Sequence, residues 1–269
     1  MRILFLGDIV GQSGCEAIKK NLLNQKQRKN IDFIIANGEN AAESGVGITE
    51  KITNEFLESG IDVITTGNHV WDQKETVEHI NRENRLLRPY NLISPSPGKG
   101  FGVYETNTGL RVGVLNLMGN VFMKKSEDVF KKSHDFLTKN ILKRDFDFLV
   151  VDFHGEITSE KTAIGHLFDG KASLVIGTHT HIPTNDTRIL SNGTGYQTDA
   201  GMCGDYNSVI GMNKENSIKK FLKKDAKKHF TANGEATLCG VIIDCNKNTG
   251  LAKNIEPFIF GGELKNTSN

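Results

Sequence analysis

The chain has 269 residues, 37% apolar and 24% charged, with 28 Gly and only 5 Pro, which excludes collagen-like, low-complexity and disordered classes. Its 33 Lys and Arg nearly cancel 32 Asp and Glu, leaving a formal charge of +1. No global field therefore recruits a long polyanion or an anionic membrane, so extended nucleic-acid binding is not expected, while a small anionic substrate stays open.

No apolar run approaches the ~20 residues that span a bilayer. The run Ile3 to Leu6 is too short for the core of a secretion signal. Cys15, Cys203, Cys239 and Cys245 form no CxxC pair and read as small thiols in a reducing compartment. The expectation is a cytoplasmic protein.

In chain order, Arg2 to Leu6 reads as a buried strand, followed by a helix from about Gly14 to Arg28 with Ile18, Leu22 and Leu23 at helical spacing. Phe33 to Ala36 is a second strand. Thr49 to Ser59 is a helix with Thr49 as N-cap and Gly60 beyond its end. Val63 to Thr66 is a third strand, and the alternation predicts βαβ units and a largely parallel start to a sheet. After an irregular Pro- and Gly-rich stretch (89–102), Gly102 to Thr106 and Arg111 to Leu117 form a hairpin-like pair. Lys124 to Lys143 reads as a peripheral helix. Phe148 to Phe153 and Ser173 to Ile176 are buried strands, the first broken only by Asp152. The chain then turns β-rich, with late strands at Thr237 to Asp244 and Ile255 to Ile259. There is neither repeat nor linker, so residues 1–269 read as one domain with a frayed tail at 261–269.

The chemistry sits where these strands end. Five apolar runs each finish in a cluster of metal-capable side chains beside glycine: Asp8, then Glu39 and Asn40, Asn68 and His69, His154, and His179 with His181. In open α/β sheets ligands gather beyond the carboxyl ends of strands, and strand-end loops present functional groups on a rigid scaffold. Asp8, Glu39-Asn40 and Asn68-His69 each read alone as turn or capping chemistry, whereas His154, closing a buried strand at the sheet's rim, is harder to read that way. Five together point to a metal site, with the two histidines at i and i+2 as the strongest element. The other histidines go elsewhere: His79, His134 and His229 read as surface residues and His166 as a packed helix residue. Trp71 reads as packing beneath the site.

Gly7-Asp8, Gly67-Asn68-His69 and Gly177-Thr178-His179-Thr180-His181 resemble the calcineurin-like metallophosphoesterase superfamily. More narrowly, GDIVG, NGEN, GNHVWD, DFHGE, GTHTHIPT and TDAGMCG, spread from residue 3 to about 260, resemble the bacterial YmdB-like subfamily of 2′,3′-cyclic-nucleotide phosphodiesterases. Two departures from the general superfamily pattern, Val10 where most members have a histidine and Glu39 where most have an aspartate, are shared by that subfamily. The resemblance implies a four-layer α/β/β/α sandwich of two mixed sheets and two divalent metal ions per chain. One ion would take Asp8, Glu39, Asn40 and His181, the other Glu39, Asn68, His154 and His179, with Glu39 bridging and His69 as proton donor. It favours iron, with manganese next; donors without thiolate also suit zinc or nickel. The implied reaction is hydrolysis of a small phosphodiester such as 2′,3′-cAMP by a metal-bridging hydroxide.

The charge of such a centre agrees. Two divalent ions held by two carboxylates and a hydroxide retain about +1, suited to a phosphodiester monoanion. Two rival readings fit the same sequence: a phosphomonoesterase on the same fold, and a signalling or RNA-associated scaffold of weak catalytic power. A homo-oligomer is compatible with the sequence.

Overall fold

The chain is described here by a computed structural model covering residues 1–267. The amino-terminal half begins with β1 (Arg2–Leu6), β2 (Asp8–Ile9), α1 (Gly11–Arg28), β3 (Phe33–Asn37), α2 (Glu50–Glu58), β4 (Val63–Thr65) and the one-turn α3 (Thr76–His79). It continues through β5 (Phe101–Glu105), β6 (Arg111–Met118), α4 (Val129–Lys139), β7 (Phe148–His154), α5 (Thr158–Phe168) and β8 (Leu174–Thr178). The remainder comprises β9 (Arg188–Ile189), β10 (Gly195–Gln197), β11 (Met202–Asp205), α6 (Lys214–Phe221), β12 (Ala236–Cys245) and β13 (Ala252–Phe260).

Two mixed sheets result. One runs β2-β11-β12-β1-β3-β4, with β13 added beside β12; the other runs β5-β6-β7-β8-β10-β9. The strands β1, β3 and β4 are parallel, as the βαβ rhythm predicts, but β12 pairs antiparallel along the other side of β1. The pair β5 and β6 is the expected antiparallel hairpin, and β6, β7 and β8 are parallel.

Side-chain alternation builds the layers. On β1, Ile3 and Phe5 enter the core between the sheets, while Leu4 and Leu6 pack with Ile18 and Leu22 of α1 and Phe56 of α2. On β7, Phe148 and Val150 face the first sheet, and Leu149, Val151 and Phe153 join Phe136 of α4 with Ile164 and Phe168 of α5. Both faces of these strands are covered, so they read as continuous apolar runs rather than alternating ones. The architecture is the four-layer α/β/β/α sandwich.

Local chemistry sets the element ends. Thr49 caps α2 by accepting the Ile52 N–H at 3.2 Å, and Gly60 follows with φ +94°. Helix α4 is shorter than its charged stretch predicts. Asp128 starts it by accepting the Lys131 N–H at 2.9 Å, and Asn91 holds the preceding chain through the Glu127 carbonyl at 3.0 Å. In the segment 261–267, read as frayed, the Gly261 N–H donates to Asn266 Oδ1 at 2.7 Å and the Ile259 N–H to Thr267 Oγ1 at 2.8 Å; residues 268–269 of that reading lie outside the described residues. No helix among the described residues is long and apolar enough to cross a membrane.

Candidate metal centre

Parallel pairing carries the ends of β1, β3, β4, β7 and β8 to one edge of the sandwich, where the loops of the two sheets meet. There Asp8, Glu39, Asn40, His154 and His181 are buried, and Asn68, His69 and His179 are half-buried. Gly67 permits this approach: a Cβ at residue 67 would lie 2.2 Å from the His154 ring and 2.4 Å from Glu39 Oε2.

Two groups of donors converge. In the first, His154 Nε2 lies 2.9 Å from Glu39 Oε1, 3.0 Å from Asn68 Oδ1 and 3.1 Å from His179 Nδ1. A single N–H cannot serve three neighbours, whereas one cation can. In the second, His181 Nε2 lies 3.3 Å from Asn40 Oδ1 and 3.9 Å from Asp8 Oδ1. Asp8 Oδ1 is buried without a hydrogen-bond partner. An unpartnered carboxylate oxygen away from water is costly, and a cation between Asp8, Asn40 and His181 would remove that cost. The donor set suits divalent metal at both positions.

Surrounding hydrogen bonds decide which nitrogen each ring presents. Thr178 Oγ1 donates to Asp152 Oδ1 at 2.7 Å and lies 2.9 Å from His154 Nδ1, so it accepts that N–H and leaves Nε2 for the site. Asp152 Oδ2 is held by Thr65 Oγ1 and Asn37 Nδ2 at 2.5 and 3.0 Å. His181 Nδ1 donates to the Ile210 carbonyl at 2.8 Å, and His179 Nε2 faces Glu156 Oε2 at 3.2 Å. Each histidine thus spends one N–H on the protein and turns its other nitrogen inward, the arrangement that fixes tautomer and basicity in metal sites. The Asn40 amide likewise donates to the Gly45 carbonyl at 2.9 Å, turning its oxygen toward His181.

The loop carrying the last two histidines is held in an unfavourable backbone. His179 and His181 have φ of 96° and 66°, left-handed values uncommon for side-chain-bearing residues. Between them, Thr180 donates its N–H and hydroxyl to Asp199 Oδ2 at 3.1 and 2.8 Å. Buried Lys161 ties Asp199 Oδ2 at 2.6 Å to the Thr178 carbonyl at 2.9 Å.

Without metal, the charges arrange themselves as a buried ion pair. Burial pushes Glu39 up, but His154 and His69 outweigh it and hold the carboxyl at about 2. Burial lowers His154, yet Glu39 and Asp8 raise it to about 9. Burial and the charge of His154 push His179 down to about 3, and burial raises Asp8.

His69 stands at the rim. Its backbone N–H donates to Glu39 Oε2 at 3.1 Å, and its Nδ1 lies 2.6 Å from Asp72 Oδ2. Lys124 Nζ donates to the other Asp72 oxygen at 3.1 Å. Burial pushes Asp72 up, but these two hydrogen bonds outweigh it and lower its pKa. Nδ1–H is thereby committed to a carboxylate, leaving Nε2 free for a reacting group.

Every strand-end residue singled out from sequence falls in this one place. The remaining histidines need two corrections. His79 is buried rather than superficial, because Thr76 and His79 share the inner face of α3; its Nδ1 is 3.5 Å from Glu50 Oε1. His166 is exposed rather than packed, because Ile164 and Phe168 form the inner face of α5 and residue 166 lies opposite. His134 and His229 are exposed, Trp71 is half-buried against the core on the outer side of the first sheet, and all four cysteines are buried and free. Sequence reasoning missed Asp72, Asp152, Lys161 and Asp199. Asp152 and Asp199 carried a signal, as carboxylates inside otherwise apolar or small-residue motifs.

Fold and donors together define a metallophosphoesterase-type protein. A model of the YmdB-like protein family matches residues 4–258, and the chain belongs to that family. It is 42% identical over 263 residues to the 2′,3′-cyclic-nucleotide 2′-phosphodiesterase of Bacillus subtilis, covering 98% of both chains. Among solved structures, it matches a hypothetical protein from Thermus thermophilus with a TM-score of 0.89 at 36% identity, covering 98% of this chain and 100% of the other. A phosphatase from Mycoplasma pneumoniae matches with the same TM-score and identity, covering 97% and 93%.

Proposed function

We propose that the chain is a phosphodiesterase that opens 2′,3′-cyclic nucleotides at a dinuclear metal centre. One metal position would be held by Asp8, Glu39, Asn40 and His181, the other by Glu39, Asn68, His154 and His179, with Glu39 serving both. The observation that carries this reading is the convergence of Glu39, Asn68 and His179 on His154 Nε2, all within 3.1 Å. When bound, the metal ions supply positive charge for the phosphate oxygens and lower the pKa of the attacking water.

The chain's own residues do the rest. His154, His179 and His181 keep inward lone pairs through their bonds to Thr178, Glu156 and Ile210. Asp72 orients His69, whose Nε2 delivers a proton to the departing ribose oxygen, a poor leaving group as an alkoxide. The bond to phosphorus from water forms as the bond to one ribose oxygen breaks; on this reading that oxygen is O2′, which leaves a 3′-phosphate, and the name of the Bacillus relative, a 2′-phosphodiesterase, supports it. The reading includes a cytoplasmic location, in keeping with four free, buried cysteines.

A panel of 2′,3′-cyclic nucleotides, linear diesters and nucleotide monoesters, assayed with Fe, Mn and Zn, tests it. Preferential turnover of the cyclic diesters is expected. A preference for monoesters would transfer the site to a phosphomonoesterase, and a folded protein that takes up no metal would leave only the scaffold reading.

A further inference from the structure

Residues 214–230 read KENSIKKFLKKDAKKHF, with seven lysines against Glu215 and Asp225. A local excess of five positive charges therefore lies within a chain of formal charge +1, whose remainder is net acidic. The near-neutral total, which argued against a polyanionic partner, conceals this separation.

The structure closes the segment at its base and turns it outward. Met212 bridges Thr231, and the Asn213 N–H donates to the Phe230 carbonyl at 3.1 Å. Asn213 caps α6, which buries only Asn216 and Ser217. The Asn216 amide reaches the carbonyls of Lys227 and Lys228 at 3.2 and 3.3 Å, tying the far half of the segment to the near half. Phe221 is 81% exposed, and Ile218, Leu222 and Phe230 also face solvent. Among the described residues, the lysines from 219 to 228 form no ion pair.

Its root belongs to the walls of the candidate centre. Ile210, four residues before α6, supplies the carbonyl that holds His181. Thr231 Oγ1 donates to the Glu43 carbonyl at 3.4 Å, in the same loop as the Gly45 carbonyl that orients Asn40. A lysine cluster alone is an ordinary solvated surface. Unpaired cations, outward aromatic rings and a root in the site together are the elements of a single-strand binding surface, where cations track the backbone and bases stack on aromatics.

We infer that residues 214–230 dock the phosphate backbone of single-stranded RNA and present its 2′,3′-cyclic phosphate end to the centre. This rests on the phosphodiesterase reading and moves the substrate from a free nucleotide to an oligonucleotide terminus. Cations with apolar tips also suit an anionic membrane. The rooting of the segment at a site for phosphodiesters, and the polar residues buried under an eight-residue α6, favour RNA.

The test uses the metal-loaded protein and the variant K219Q/K220Q/K223Q/K224Q, whose changed side chains are exposed at 219, 223 and 224 and half-buried at 220. Ligands are a fluorescent RNA of about 12 nucleotides, a length within the range a single-strand groove covers, ending in a 2′,3′-cyclic phosphate, the same RNA ending in a 3′-hydroxyl, free 2′,3′-cAMP and phosphatidylglycerol vesicles. Expected for the variant is a tenfold or greater loss of affinity for both RNAs. The slope of log affinity against log salt should fall by about 3, at ~0.7 per lost contact. Its kcat/KM on the cyclic-ended RNA should fall in parallel while that on 2′,3′-cAMP stays unchanged. Phe221→Ala should weaken RNA binding without changing the salt slope. Unchanged RNA affinity in the quadruple variant, or lysine-dependent binding to vesicles but not to RNA, would overturn the inference. Lysine-dependent binding of the 3′-hydroxyl RNA by a protein that cleaves neither cyclic substrate would uphold the surface and sink the phosphodiesterase reading instead.

Discussion

If His69 gives its proton to the departing ribose oxygen, removing its ring should hurt in proportion to that oxygen's need for a proton. General acid catalysis contributes ~10²–10⁴-fold, or about 3–5 kcal/mol at ~1.4 kcal/mol per decade. A ribose alkoxide requires all of this, whereas a nitrophenolate is already stable as an anion. The ring is held through Asp72 at 2.6 Å, and the contact of residue 69 with Glu39 is made by its backbone N–H, so His69→Ala leaves the donor set of both metal positions untouched. The variant should bind metal as the parent does, lose about two to four decades of kcat on 2′,3′-cAMP, and retain far more on bis(p-nitrophenyl) phosphate. Asp72→Asn, which keeps the ring but loses the carboxylate that orients it, should show the same substrate pattern with a smaller loss. The assay is kcat on the two esters with metal content measured on the same samples. Equal losses on both esters at full occupancy would reduce His69 to a residue that orients phosphate or Asn68.

Three further outcomes follow from the same geometry. Glu39→Ala should lower metal occupancy at both positions together, while Asp8→Ala should empty mainly the position shared with Asn40 and His181; normal metal content in Glu39→Ala would refute the dinuclear assignment. Because His154 is raised to about 9 in the metal-free protein, it is protonated at pH 7 and metal must displace that proton. Affinity should then rise about tenfold per pH unit from 7 toward 9 and level above it, with His179, held at about 3, releasing none; a pH-independent affinity by calorimetry across that range would contradict the pairing. Lys161→Met leaves the buried Asp199 carboxylate without its cation and should cost ~3–5 kcal/mol. That loss lowers the melting temperature of the metal-free protein by about 6–20 °C, and an unchanged melt would show that the pair does not hold the loop of His179 and His181.

The sequence determined the parts of this protein whose information is local. Apolar runs of strand length, each stopped by glycine and a polar cluster, located five strand ends and the eight residues gathered there, because what ends a strand is written beside it. The continuous run from Phe148 to Phe153 likewise announced a strand covered on both faces. Only the tertiary structure decided how these pieces meet. The antiparallel insertion of β12 beside β1 joins residues more than two hundred positions apart. The buried bond from Asn37 to Asp152 spans 115 positions, and the choice of inward nitrogen on His154, His179 and His181 depends on Thr178, Glu156 and Ile210. His79 and His166 exchanged their expected environments because a short helix or a single turn sets which face looks inward, and that depends on the neighbour it packs against. The same holds for charge. The total is additive over the chain, but a field is felt locally, and folding brings Ile210 and Thr231, which flank lysines 214–228, to His181 and to the Glu43 loop at the candidate centre.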